Sequence, residues 1–218
     1  MTGFVLPLWQ FEIPVEVVVL GIISGLTYAL LGVGLTLIYR SSRALNFAHG
    51  EMGALPALAI PILCLNYNWP YWPAFLVTIA GSAAVGALVE FLVFRRLRQA
   101  SRLTVLVATI GVAQLLFVAG ALLPKGGELT GRGYPTPFES TVKIGDLVLG
   151  PGQLMIVGVV PAVTVALAVF LRKSKLGRAS RAAADNAEAA QLAGVPVARV
   201  SLAIWTIAGL LAGLSAIL

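Results

Sequence analysis

Charge is scarce in this sequence. Only 11% of its 218 residues are Asp, Glu, Lys or Arg, against 59% hydrophobic. Soluble domains carry roughly 25% charged residues, so the deficit excludes a soluble globular fold. The chain reads as an integral membrane protein, in line with a mean hydropathy of +0.94. Cysteine occurs once, at Cys64 within an apolar run, which excludes an intrachain disulfide and leaves the redox compartment open. Histidine also occurs once, at His49, and with scattered carboxylates it is too little to build a metal site. No basic segment opens the chain, whose first charges are Glu12 and Glu16, so no cleavable signal peptide is evident. A Gly-x-x-x-x-Gly-Lys-[Ser/Thr] phosphate loop is missing, so the chain has no nucleotide site of its own and no expected cofactor. A serine hydrolase needs a serine nucleophile beside a base, and His49 has no Gly-x-Ser-Gly segment to serve. An enzyme is not expected, and no catalytic residue is assigned.

What is present is a series of long apolar runs. Residues 17–39 are uncharged throughout, long enough to cross about 30 Å of hydrocarbon. They follow a short arm, residues 1–16, with Pro7, Pro14, Trp9 and Phe11. Further spans fall at 71–89, 103–123, 153–171 and 200–218. Gly21 and Gly25, Gly32 and Gly34, and Gly209 and Gly213 are small residues of the kind that let membrane helices approach closely, and helix packing is their expected role. Between the fourth and fifth spans, residues 124–152 form a polar loop whose six charges cancel, and 142–149 suit a short strand or hairpin.

One apolar segment is irregular. Residues 52–65 are uncharged but short, and contain Pro56 and Pro61; counted from Asn46 the segment is long enough, but then it holds His49 and Glu51. Interrupted helices are tolerated in a membrane where the backbone is buried in protein or lines a cavity. Charge decides whether it crosses. With six crossings, twelve of the 15 basic residues fall on one side and three on the other. That is a positive-inside pattern with the N-terminus outside, and it explains the net charge of +6 without nucleic acid. The expected fold is therefore all-α and polytopic, with about six transmembrane helices in one domain.

The stretch Asn46-Phe-Ala-His-Gly-Glu51 concentrates groups that are costly in lipid, and such groups usually face a protein interior or an aqueous path. Asn46, His49 and Glu51 are the candidate path residues. Each has a plainer role available: Asn46 as a helix N-cap, His49 as a hydrogen-bond donor to a neighbouring helix, Glu51 as an ion-pair partner of Arg40 or Arg43. Glu90 reads as an interfacial charge beside Arg95. On the basic side, residues 172–199 hold an alanine-rich run, 177–194, that reads as one helix stopped by Gly194 and Pro196. Arg178, Arg181, Asp185 and Glu188 recur at three- and four-residue spacing on it, and Ala179, Ala183, Ala187 and Ala190 form a smooth face. A solvated connecting helix or a docking surface both fit.

Two separated motifs resemble one family. Gly25-Leu-Thr-Tyr-Ala-Leu-Leu-Gly-Val-Gly-Leu-Thr-Leu-Ile-Tyr39, followed by Leu45-Asn-Phe-Ala-His-Gly-Glu51 and Gly53-Ala54, resembles the first permease subunit of branched-chain amino acid ABC importers. Leu176-Gly-Arg-Ala-Ser-Arg-Ala182 and Asn186-Ala-Glu-Ala-Ala-Gln-Leu-Ala-Gly194 resemble that family's cytoplasmic coupling loop, with Ser180 in place of a bulky apolar residue and Ala187 in place of a common proline. The resemblance implies a transmembrane permease of the bacterial cytoplasmic (inner) membrane that forms part of a translocation path. It implies ATP on a separate ATP-binding subunit, a second permease, and a periplasmic or extracellular substrate-binding protein. For the ATPase contact it points to Gly177, Arg178, Arg181, Asn186, Glu188, Ala189, Ala190 and Gly194. It also implies a C-terminally incomplete chain, since family members continue for about two more helices. Related permeases serve urea and short amides, and an ion-coupled secondary transporter using Glu51 or His49 is the alternative of a different class.

Overall fold

The computed structural model describes residues 5–8, 11–43, 45–123, 133–145 and 147–218. Of the residues discussed above, Trp9 and the loop charges Lys125, Glu128, Arg132 and Asp146 lie outside that set. The N-terminal arm is not featureless: β1 (Val5–Leu8) pairs antiparallel with β2 (Phe11–Pro14), Val5 opposite Pro14. The first helix, α1 (Val15–Ser42), starts directly after Pro14 and ends where Arg43 turns left-handed at φ 54°.

The irregular segment is broken as its prolines require. Helix α2 (His49–Ala57) stops at a turn on Leu58, α3 (Ala59–Pro61) adds one short piece, and Ile62–Asn66 close with a π turn. Pro61 has no N–H to give the carbonyl four residues earlier. That carbonyl, on Ala57, instead accepts the Tyr134 hydroxyl at 3.1 Å. After it come α4 (Tyr71–Leu92), a 3₁₀ turn at Phe94–Arg96, and α5 (Arg102–Leu122), whose first turn is capped by the Ser101 hydroxyl. Strands β3 (Val142–Ile144) and β4 (Leu147–Leu149) make the expected hairpin, Val142 opposite Leu149. The chain ends with α6 (Pro151–Lys173), α7 (Lys175–Asp185), α8 (Ala187–Leu192) and α9 (Val197–Ile217).

Among the described residues, five helices are long and apolar enough to cross a membrane: α1, α4 with its 3₁₀ turn, α5, α6 and α9. The fold is helical and polytopic, and the segment that would bring the count to six is the broken one. At one end of the bundle the tip of α1, the α4–α5 turn and the α7–α9 region meet. Arg43 there donates to the Ala184 carbonyl at 2.5 Å, and Ser42, Arg98 and Gln191 line a common cavity. The basic loops thus share one end. At the other, Tyr71, Tyr134 and Ile217 line a second cavity.

Helix α9 is the hub, packed against α4, α1 and α2. Trp205 on α9 is wholly buried, its ring 4.1 Å from that of Phe94. Helices α4 and α9 approach closely where Ser82 and Gly86 meet Gly209 and Gly213; a Cβ on any of these three glycines would strike the opposing helix. On α1, Gly34 is used this way, against His49, whereas a Cβ on Gly21, Gly25 or Gly32 would meet nothing within 4 Å among the described residues. Packing within the chain therefore explains Gly34 but not the other three.

Candidate translocation and docking sites

The break in the second segment lies deep in the bundle. His49 Nε2 is 3.2 Å from the Leu31 carbonyl, eleven residues from the end of α1. The Phe47 N–H reaches Thr109 Oγ1, seven residues into α5, at 3.3 Å. At 1.5 Å per residue, α2 therefore begins about 10 to 16 Å in from the basic end. Residues 45–48 lead into it as irregular backbone, which a membrane tolerates only when protein or an aqueous cavity surrounds it.

Asn46 and His49 turn inward. Asn46 is 2% exposed; its Oδ1 accepts the Ala48 N–H at 3.0 Å, its carbonyl accepts the His49 N–H at 3.2 Å, and its amide lies 3.1 Å from Met52 Sδ. It folds the approach to α2 but does not cap its first turn, because its Oδ1 is spent two residues on. His49 is 3% exposed, held between Leu31 and Gly34, with Nδ1 unpartnered among the described residues. A carbonyl oxygen can only accept, so Nε2 carries the proton in this bond. The histidine thus makes the interhelical bond its plainer role anticipates.

Glu51 is different. It is half-buried, between exposed Gly50 and buried Met52, and pairs with neither Arg40 nor Arg43. The N–H groups of Gly50 and Glu51, in the first turn of α2, find no backbone acceptor among the described residues. A half-buried carboxylate, two amides without a backbone acceptor and the exposed ring of Phe47 thus lie at mid-bundle depth, on a side that the described residues leave partly open. The only ion pair among the described residues is instead Glu90 with Arg98, at 2.8 Å, and Glu90 is 1% exposed. Sequence alone reads Glu90 as an interfacial charge beside Arg95, but it is buried, and the Arg95 guanidinium lies over the Phe91 ring.

The alanine-rich run departs from a single helix. Asn186 takes extended angles (φ −150°, ψ 105°), and its Oδ1 accepts the Ala189 N–H at 3.0 Å, ending α7 and capping α8. The Asp-Asn pair at 185–186 carried that signal, since Asn is a strong N-cap. The ion-paired face does not form either. Arg181 donates to the Leu171 carbonyl at 2.6 Å and Arg178 to that of Lys173 at 3.2 Å. Both reach the negative end of α6, where unpaired carbonyls favour cations. The break also splits the alanine face: Ala190 is buried while Ala187 is exposed. Gly177 is buried against the Leu171 carbonyl, where a Cβ would collide, and Gly194, at φ 82°, closes α8. What remains outward is the face of α8, with Glu188, Ala189 and Leu192, the last 92% exposed at the polar end of the bundle. Sequence inspection passed over Leu192 because a leucine in such a run reads as core.

These features can be set beside known proteins. The family model for the branched-chain amino acid transport system permease component matches residues 17–218. The chain belongs to that family. The permease is 29% identical to the high-affinity branched-chain amino acid transport system permease protein BraD of Pseudomonas aeruginosa, over 91% of this chain and 68% of the relative. It is 27% identical to the protein LivH of Escherichia coli, of the same description, with the same coverage. A probable branched-chain amino acid transport permease protein LivH of Methanocaldococcus jannaschii is 28% identical, over 85% of this chain and 60% of the relative. No solved structure gives a significant match. The permease is a multi-pass inner-membrane transport component and not an enzyme.

Proposed function

We propose that this permease forms one half of the translocation path of an ATP-driven importer of branched-chain amino acids. The observation that carries the reading is the start of α2 at mid-depth, where half-buried Glu51 and the N–H groups of Gly50 and Glu51, without a backbone acceptor among the described residues, lie beside exposed Gly50 on a partly open face. Neither a carboxylate nor bare amides belong against lipid. A second permease across that face would enclose them in a path. A zwitterion passing there would offer its ammonium to Glu51 and its carboxylate to the helix start. Asn46 and His49 act on that path by holding the break in place. All six apolar segments, the broken one included, cross with the N-terminus outside.

ATP is hydrolysed on a separate subunit, which docks on the 172–199 loop. Gly177, Arg178, Arg181, Asn186 and Gly194 shape the loop, with Ala190 seating α8, while Glu188, Ala189 and Leu192 meet the partner. A substrate-binding protein delivers the amino acid at the opposite end and sets the choice of substrate.

The test is uptake by the full-length gene product, co-expressed with its operon partners and reconstituted in proteoliposomes. ATP-dependent leucine uptake is expected, outcompeted by isoleucine and valine but not by urea. Glu51→Gln is expected to lower uptake while the ATPase still co-purifies. Leu192→Asp with Glu188→Arg is expected to release the ATPase. Uptake that persists without ATP and follows a proton gradient overturns the reading in favour of a secondary transporter.

A further inference from the structure

We propose that the permease binds one anionic phospholipid at the basic end of the bundle, its phosphate between α1, α6 and α7 and an acyl chain along the groove between α6 and α9. A cavity of about 280 Å³ there is lined by Arg40, Arg172 and Arg181, with Ser41 and Ser180 beside them. No carboxylate lines it, and none of the three arginines forms an ion pair among the described residues. Arg181 gives one N–H to the Leu171 carbonyl, which leaves four of its five donors. Three arginines from three helices lining one cavity without a counter-charge call for an anion, and guanidinium suits phosphate oxygens in particular.

The second observation says what kind of anion. The inner wall of the cavity is Leu37, Ala168, Leu171 and Ile204. One turn further into the bundle, on the same faces of the same two helices, Leu167 and Ile207 begin an open groove continued by Phe170, Val163 and Leu210. That groove is almost purely apolar and lies where α6 and α9 stand apart. A free phosphate uses only the arginines; a lipid uses both halves. Basic pockets between helices at a membrane surface suit anionic headgroups.

The neighbouring basic cavity at this end, with Arg43, Arg98 and Arg102, lacks both features. Arg43 is drawn to the Ala184 carbonyl, Arg98 is paired with Glu90, and the walls, with Ser41, Ser42, Gln191 and Ser201, are more polar than those of the groove between α6 and α9. A lipid phosphate in the first cavity ties the ends of α1 and α6 to α7, and so steadies the segment that leads into α8.

Native mass spectrometry of the detergent-purified full-length permease tests this, with phosphatidylglycerol, phosphatidylcholine and inorganic phosphate added separately. Wild type is expected to retain phosphatidylglycerol about tenfold over phosphatidylcholine. Arg40→Gln with Arg172→Gln should bring the ratio near one, and Arg172→Gln alone should lower it partway. Arg102→Gln, which removes the same charge from the other cavity, should leave it unchanged. Leu210→Trp, which fills the groove and spares the arginines, should weaken phosphatidylglycerol alone. Equal retention of the two lipids by wild type overturns the proposal, as does an equal loss with Arg102→Gln. Phosphate binding as tight as the lipid, unmoved by Leu210→Trp, assigns the cavity to a soluble anion. Loss of the co-purifying ATPase in Arg172→Glu with lipid retention intact assigns it to a protein contact. Either result also overturns the lipid site.

Discussion

Two Gly-x-x-x-Gly motifs with the same spelling are put to opposite uses in this permease. Gly209 and Gly213 on α9 sit against Ser82 and Gly86 on α4, close enough that a methyl group would strike the opposing helix. Gly21 and Gly25 on α1 are exposed, and a methyl group on either would meet nothing within 4 Å among the described residues. The motif supplies only the opportunity for close approach. Whether it is used within the chain depends on which helix lies opposite. The buried pair marks the α4–α9 seam as the place where this subunit is welded together. The open pair marks a face of α1 that internal packing neither needs nor fills.

Four substitutions would break or sharpen that contrast. Gly213→Leu forces a large side chain into Ser82, and overpacking of that kind costs about 1 to 3 kcal/mol or more. Loss of the monodisperse peak in size-exclusion chromatography is the expected result. Next is Arg98→Gln. It strands Glu90, which lies on the face of α4 that carries Ser82 and Gly86, and leaving a buried charge unpaired costs about 3 kcal/mol. A marked drop in thermal midpoint should follow, with recovery when Glu90→Gln is added; no recovery in the double variant would falsify the pairing. Tyr134→Phe removes the donor from the Ala57 carbonyl at the opposite end, a loss of about 1 kcal/mol read as a modest shift in midpoint. Gly21→Leu should be the mildest, within about 0.5 kcal/mol for the subunit alone. A large loss there would mean that the face of α1 is packed after all.

The candidate path was legible in sequence as a cluster and not as an arrangement. Asn46, His49 and Glu51 stand out because polar groups are costly among so many apolar neighbours. Which of them turns inward depends on where α2 starts relative to Leu31 and Gly34, a register between helices that no spacing within the segment records. The loop was read correctly in composition and wrongly in continuity. Alanine propensity favoured one helix over 177–194, but the Asn186 side chain offered the backbone a local partner and the helix split there. Its arginines were matched to nearby carboxylates by spacing, yet the uncapped carbonyls of α6 lay closer. Glu90 followed the same rule, meeting Arg98 rather than Arg95 because the 3₁₀ turn after α4 swings the chain round.

By itself the sequence determined that this chain lives in a membrane, where its long spans fall, that the second segment breaks, and that its basic loops gather at one end. These follow from composition and from local backbone chemistry: apolar run length, proline without an N–H, and the sign of loop charges. The tertiary structure alone decided that α9 is the hub, that one glycine pair is buried and the other open, and that three arginines from three helices share a cavity above an apolar groove. Such facts depend on which helices become neighbours, and that is set by the summed packing of whole surfaces, not by any stretch of chain.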